Sequence, residues 1–293
     1  FVGCLMGIYC GAHKILLIDE PEAFLHPSQA RRLGYLLAQS AEKLKRQVIV
    51  ATHSSDIIKG AINSSYKIAV CRIERNNQSN NAYLLKSERL EEFWSKPLLQ
   101  STSAIHGIFH KGAVVCEADA DCRFYESILN RLQNKNVLDK PADIYFVSGG
   151  GKGELATLVR SYKALNIPTV AIADFDLLQK ESELKQVFEA FGADFSEVQA
   201  SYNSAKSALN DLPRIKTIPV FVNEMESILN EISNTGDITK VHKEKISDLL
   251  SDSSKWSEAK KYGINKLAGG AYNNCLDVLN KCQKIGLFLV PQG

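Results

Sequence analysis

The chain of 293 residues carries 35 Lys plus Arg against 33 Asp plus Glu, with 45% hydrophobic and 23% charged residues. That length suits two domains or one large one, and the balance excludes a disordered or fibrous chain. A net charge of +2 advertises no polyanion partner, so any nucleic-acid surface must be local.

Phe1 to Ala12 is apolar but lacks a basic leader and is too short to span a bilayer, so it reads as a buried helix. Lys14 to Ile18 then forms a short aliphatic run, the pattern of a fully buried parallel strand, and ends in Asp19-Glu20-Pro21. A helix follows over about Ser28 to Lys45. Gln47 to Thr52 reads as a second buried strand ending in His53-Ser54-Ser55, and Ala69 to Ile73 as a third, edge-like one. Arg75 to Asn81 is a polar hairpin or loop. A domain boundary is expected near Ser101 to Phe109, dividing 1–105 from 106–293.

Beyond it, Ala113 to Cys116 is a strand ending at Glu117, followed by a helix over about Asp121 to Leu132. Ile144 to Val147 is the next strand, ending in Ser148-Gly149-Gly150-Gly151-Lys152-Gly153 before a helix from about Leu155 to Ala164. Thr169 to Ala173 is another, ending at Asp174-Phe175-Asp176. Three strand–helix units in a row imply an α/β fold with a parallel sheet and right-handed crossovers. The stretch from Gln179 to Lys284 reads as mostly helical, with short strands expected at Ile218 to Val222 and Leu287 to Val290. Seven cysteines form no Cys-x-x-Cys pair and are odd in number, which points to reduced, mostly buried thiols in the cytoplasm.

Two constellations carry chemistry. Asp19 and Glu20 stand at the C-terminal end of an apolar strand, where open α/β sheets place their ligands. In phosphate chemistry such a pair divides the work: Asp19 holds Mg²⁺ and Glu20 orients the attacking water, with His53 at the neighbouring strand end contacting a terminal phosphate. A nucleotide site also needs a glycine-rich cradle of the form G-x-x-x-x-G-K-[ST], and the sequence has none. This chain alone is therefore not expected to hydrolyse ATP. It opens on Phe and stops after Val290-Pro291-Gln292-Gly293, so it reads as a piece of a longer polypeptide.

The second constellation is Glu117, Asp121, Asp174 and Asp176, at or just beyond two strand ends, with Ser148 to Gly153 at a third. Hard oxygen ligands of this kind suit one or two Mg²⁺ or Mn²⁺ ions in phosphodiester chemistry. Residues 174 and 176 of an extended chain face the same side, so both carboxylates can meet one ion. The glycines allow backbone N–H groups near a phosphate, and Lys152 adds a positive charge. Each piece has a plainer reading: an Asp-x-Asp turn is often only solvated, and Asp121 suits a helix N-terminus. Order and spacing make the ensemble more specific than its parts.

Asp19-Glu20-Pro21, His26-Pro27 and Ala51 to Ser55 resemble the Walker B, D-loop and H-loop segments of ABC-type ATPase heads. The Ser-Gly signature that precedes Walker B in such heads is missing. Val115 to Asp121, Gly150 to Gly153 and Asp174-Phe175-Asp176 resemble the E-x-x-x-D, glycine-rich and D-x-D motifs of the TOPRIM domain, although Ala118 stands where that pattern has glycine. The combination is similar to the overcoming-lysogenisation-defect (OLD) family of ATP-dependent endonucleases: the C-terminal part of an ATPase head, then a TOPRIM-like parallel-sheet domain with a helical extension.

The resemblance implies Glu117, Asp121, Asp174 and Asp176 as metal ligands, with Ser148 at the metal edge and Glu117 also serving in proton transfer. It implies a late lysine, Lys260 or Lys261, stabilising charge on the phosphate. It further implies DNA as substrate, ATP only with an N-terminal half, a homo-oligomer formed through the ATPase part, and a role in phage defence. From residue 240 onward nine lysines face five acidic residues, which suits a DNA backbone or an ordinary solvated surface. Two rivals share these features: a topoisomerase or primase, and a non-catalytic DNA-tethering module.

Overall fold

The computed structural model describes residues 2–10, 13–64, 67–76, 79–94, 104–138, 142–254 and 256–291. The chain divides into two compact units, 1–170 and 171–293.

The first unit begins with α1 (Val2–Cys10), β1 (Ile15–Asp19), α2 (Pro27–Lys43), β2 (Gln47–Ala51) and α3 (Ser55–Ile62). Strands β1 and β2 pair in parallel, with Ile15 opposite Gln47 and Asp19 opposite Ala51. One face of the pair, made of Leu16, Ile18, Val48 and Val50, packs on Ile8, Ala30, Leu33, Leu37 and Ile57. On the other face Ile15, Leu17 and Ile49 are 58%, 72% and 51% exposed. The full burial expected of both strands is thus corrected: side chains alternate across a strand, and the helices cover one side only. The buried helix expected at the start is corrected too, because Ile8 is sealed while Met6 and Tyr9 lie about half exposed. Phe1, Gly11 and Ala12 lie outside the described residues.

Helix α2 starts on a reciprocal cap. The Ser28 N–H donates to His26 Nδ1, the His26 N–H donates to the Gln29 side chain, and Pro27 takes the first helical position, where no N–H is needed. Helices α2 and α3 then cross on two glycines. A Cβ at Gly34 would stand 2.1 Å from the Ile57 carbonyl oxygen, and one at Gly60 would stand 1.9 Å from that of Arg31.

The stretch Arg75 to Asn81, expected as a polar hairpin or loop, is mostly strand: β3 (Val70–Asn76) pairs antiparallel with β4 (Ser79–Leu85), with residues 77 and 78 outside the described set. Helix α4 (Ser87–Trp94) follows. Of the expected boundary, residues 101–103 lie outside the described set, and Ala104–Phe109 forms a 3-10 turn. The Tyr162 hydroxyl, fully buried, donates to the Ala104 carbonyl at 2.6 Å and fixes that turn. Next come β5 (Gly112–Cys116), α5 (Asp119–Asn134), β6 (Ile144–Ser148) and α6 (Lys152–Ala164). β5 and β6 pair in parallel, bringing Cys116 opposite Ser148, and Ala113 to Cys116 are buried.

Strand β7 (Thr169–Ala173) carries the chain into the second unit, where its last three residues pair in parallel with β8 (Leu287–Leu289). Between them lie α7 (Glu181–Phe191), α8 (Ser196–Asn210), α9 (Ile218–Thr235), α10 (Lys240–Asp252), α11 (Ser257–Tyr262) and α12 (Gly269–Ile285). Phe188, Phe195 and Tyr202 meet edge to face at 5.4 and 5.5 Å, and the Tyr202 hydroxyl donates to the Leu178 carbonyl. The strand expected at Ile218 to Val222 is instead the first turn of α9. Thr217 is extended at the N-cap position, and Pro219 fits a first-turn position that lacks an N–H partner anyway. No described helix is long and apolar enough to cross a membrane.

Candidate metal centre and nucleotide-side half-site

Asp19 closes β1, and the chain turns at once: Glu20 adopts φ 42° while its N–H donates to the Ala51 carbonyl at 2.9 Å. That turn aims the Glu20 carboxylate at His53, whose Nδ1 lies 3.4 Å from Glu20 Oε1. Both side chains are more than half exposed, so the pair stands open to solvent at the strand ends. Beneath it Glu22, 8% exposed, accepts hydrogen bonds from the Thr52 hydroxyl at 2.5 Å and from the His53 N–H at 3.2 Å. Its Oε1 also lies 3.6 Å from His53 Nδ1. Glu22 is a residue that sequence reasoning missed. The signal was a second acid directly after Glu20-Pro21.

In the remainder of the first unit, Glu117 leaves the end of β5 with its side chain 18% exposed. Its backbone carbonyl accepts from the Gly151 N–H at 3.0 Å, and the Cys116 carbonyl accepts from the Gly149 N–H at 2.9 Å, so the loop after β6 is sewn to the end of β5. Ser148 Oγ accepts from the Gly150 N–H at 3.1 Å. Gly150 and Gly151 have φ of 68° and 135°, values that a side chain rarely permits. Lys152, at the start of α6, puts Nζ 3.9 Å from Glu117 Oε1. Asp121, in the first turn of α5, accepts from the Ala118 N–H through Oδ2 at 2.9 Å.

In the second unit, Asp174 is extended and Phe175–Gln179 then tightens into a 3-10 turn anchored by buried Phe175, Leu177 and Leu178. The extended chain expected through residue 176 therefore stops at Asp174. Asp176 is 13% exposed and its Oδ2 lies 3.1 Å from Lys260 Nζ. Lys261 instead lies over the ring of Tyr262, 5.9 Å from its centre.

Glu117 stands just past a strand end in the first unit, and Asp174 and Asp176 just past one in the second; each offers a carboxylate oxygen of the kind that holds a metal ion. Three hard oxygen donors fit Mg²⁺ or Mn²⁺ far better than a softer ion.

Comparison with known proteins divides along the same lines. Residues 4–59 match the family described as "AAA domain, putative AbiEii toxin, Type IV TA system". Residues 108–176 match the TOPRIM domain of the overcoming lysogenization defect protein-like family. The chain is 27% identical over 175 residues to the Old nuclease of Escherichia phage P2, a stretch covering 57% of this chain and 28% of that protein. It is 29% identical over 168 residues to the OLD nuclease of Thermus scotoductus, covering 55% of this chain and 31% of the relative. The matched stretch thus spans under a third of either curated relative's own length. Aspartates 174 and 176 close the matched TOPRIM segment, and Asp19, Glu20 and His53 fall within the matched AAA segment. The chain therefore joins an AAA-type ATPase segment to a TOPRIM domain of the overcoming-lysogenization-defect-like kind.

Proposed function

We propose that residues 106–293 form a divalent-metal-dependent DNA endonuclease of the OLD type, preceded in 1–105 by the C-terminal lobe of an ABC-type ATPase. The observation that carries this reading is that Glu117, Asp174 and Asp176, each at or just past a strand end, lie inside the segment that matches a TOPRIM domain. A bound Mg²⁺ or Mn²⁺ supplies Lewis acidity toward a phosphodiester and a water of lowered pKa. Glu117, Asp121, Asp174 and Asp176 would hold it, with Ser148 at its edge.

Glu117 can also take a proton from the attacking water, with the Lys152 ammonium 3.9 Å away. Lys260, held at Asp176, stabilises negative charge building on the phosphate oxygens. The two N–H bonds that Gly149 and Gly151 donate to β5 fix the loop against which a phosphate would rest. On the nucleotide side, Asp19, Glu20 and His53 act on ATP bound jointly with a further ATPase segment, within a homo-oligomer. The cytoplasm and defence against phage are the setting that the resemblance supports.

The test is nicking of supercoiled plasmid with Mg²⁺ and with Mn²⁺, comparing the chain with a folded Asp174→Ala, Asp176→Ala double variant. Metal-dependent nicking lost in the variant is expected. A covalent protein–DNA adduct would move the reading to a topoisomerase. DNA binding without cleavage under either metal, indifferent to the double substitution, would move it to a tethering module.

A further inference from the structure

The nucleotide-side half-site and the loop after β6 are joined by a cluster that neither site uses. His106, in the 3-10 turn after the described part of the hairpin region, directs Nε2 at α3. It lies 3.0 Å from the Ser55 hydroxyl and 3.4 Å from the Lys59 ammonium. An ammonium has protons to give and no lone pair to offer, so Nε2 must be the accepting nitrogen and the imidazole is neutral, with its proton on Nδ1. The ring stacks on Tyr145 of β6 with centres 6.3 Å apart. His110 stacks on the same tyrosine at 5.0 Å, and its Nδ1 lies 2.7 Å from Asp143 Oδ1. Helix α3 begins two residues after His53, and Tyr145 lies on the strand that ends at Ser148.

We propose that His106 is a proton-sensitive latch: as a neutral imidazole it ties α3 to β6, and protonation releases the tie. A second ring proton would point an N–H at the Lys59 ammonium and take away the lone pair that accepts from it, while the Ser55 hydroxyl could only turn round to accept. The charges around it make that costly. From α3, Lys59 and Asp56 face the ring. From α2, Arg31 holds Asp56 at 2.8 Å and so uses part of its negative charge. From its own segment comes His110. β6 presents Tyr145.

Burial first, then Lys59, hold the His106 pKa below the ordinary 6.5, with Asp56 opposing and His110 adding to the depression. Burial likewise lowers Lys59, with Asp56 opposing. The sign follows. Between the depressed value and 6.5 the unfolded chain binds more protons than the folded one, so the latch strengthens as pH rises through that window and is lost as pH falls through it.

The test needs only this chain. The His106 Cε1–H resonance is titrated by NMR, and amide exchange of residues 55–62 and 104–109 is followed over the same pH range after correction for intrinsic rates. His106 should titrate below 6.5, with protection of both segments falling several-fold as it gains its proton. Lys59→Gln, which keeps the imidazole, should raise the midpoint and move the loss of protection with it. His106→Gln should leave protection flat with pH. A midpoint at or above 6.5, protection indifferent to the state of His106, or a Lys59→Gln variant that moves neither would overturn the latch.

Discussion

The ammonium of Lys260 lies 3.1 Å from Oδ2 of Asp176, while the neighbouring Lys261 turns to an aromatic ring. On the proposed reading Lys260, which reaches a candidate ligand, is the lysine that would meet a phosphate there. Lys260→Ala should cut metal-dependent nicking by roughly 100-fold or more, the scale of losing one charge-stabilising donor. Lys261→Ala should change it less than about threefold. Because the pair is half exposed on the lysine side, thermal unfolding should shift little, by about 1 kcal/mol at most.

Removal of Glu22 should be felt before any nucleotide is present. Glu22→Ala leaves the Thr52 hydroxyl and the His53 N–H without their acceptor in a partly buried place. The cost should be about 1–3 kcal/mol of stability, read from urea unfolding midpoints at constant slope. Glu20→Ala, at an exposed carboxylate, should leave the midpoint nearly unchanged.

The crossing of α2 on α3 makes a sharp packing prediction. Gly34→Ala and Gly60→Ala each drive a methyl group into the backbone of the other helix and should destabilise by about 1–3 kcal/mol. The double variant should lose less than the sum, because once the helices part for one methyl the second meets less resistance.

Thiol chemistry should follow burial. Burial pushes Cys275 up to about 12, and burial with Cys275 nearby pushes Cys282 up to about 12. At pH 8 only about one in ten thousand of either is thiolate, the form that reacts. Iodoacetamide followed by mass spectrometry should find Cys10 and Cys71, both exposed, labelled in the folded chain. Cys275 and Cys282 should label only after urea.

The candidate site was legible because its chemistry is local in sequence: Glu117 follows an apolar strand directly, and Asp174 and Asp176 follow another. What escaped the sequence was long-range or conformational. Ser55 and His106 are 51 residues apart, and nothing in either neighbourhood announces the other. The run Ile218 to Val222 has strand composition, yet it opens a helix with Pro219 in its first turn, which five apolar residues cannot signal by periodicity. The half-open face of β1 and β2 escaped for a related reason. An unbroken aliphatic run looks the same whether one side is covered or two.

The glycines after β6 also set how that loop tolerates change. A Cβ at Gly153 would meet open space, one at Gly149 would press to 3.3 Å on the Gly151 carbonyl oxygen, and Gly150 and Gly151 sit at positive φ. A saturation library over residues 149–153, sorted for nicking, should therefore return a lopsided alphabet: a wide range of side chains at 153, a narrow one at 149, and almost nothing but glycine at 150 and 151.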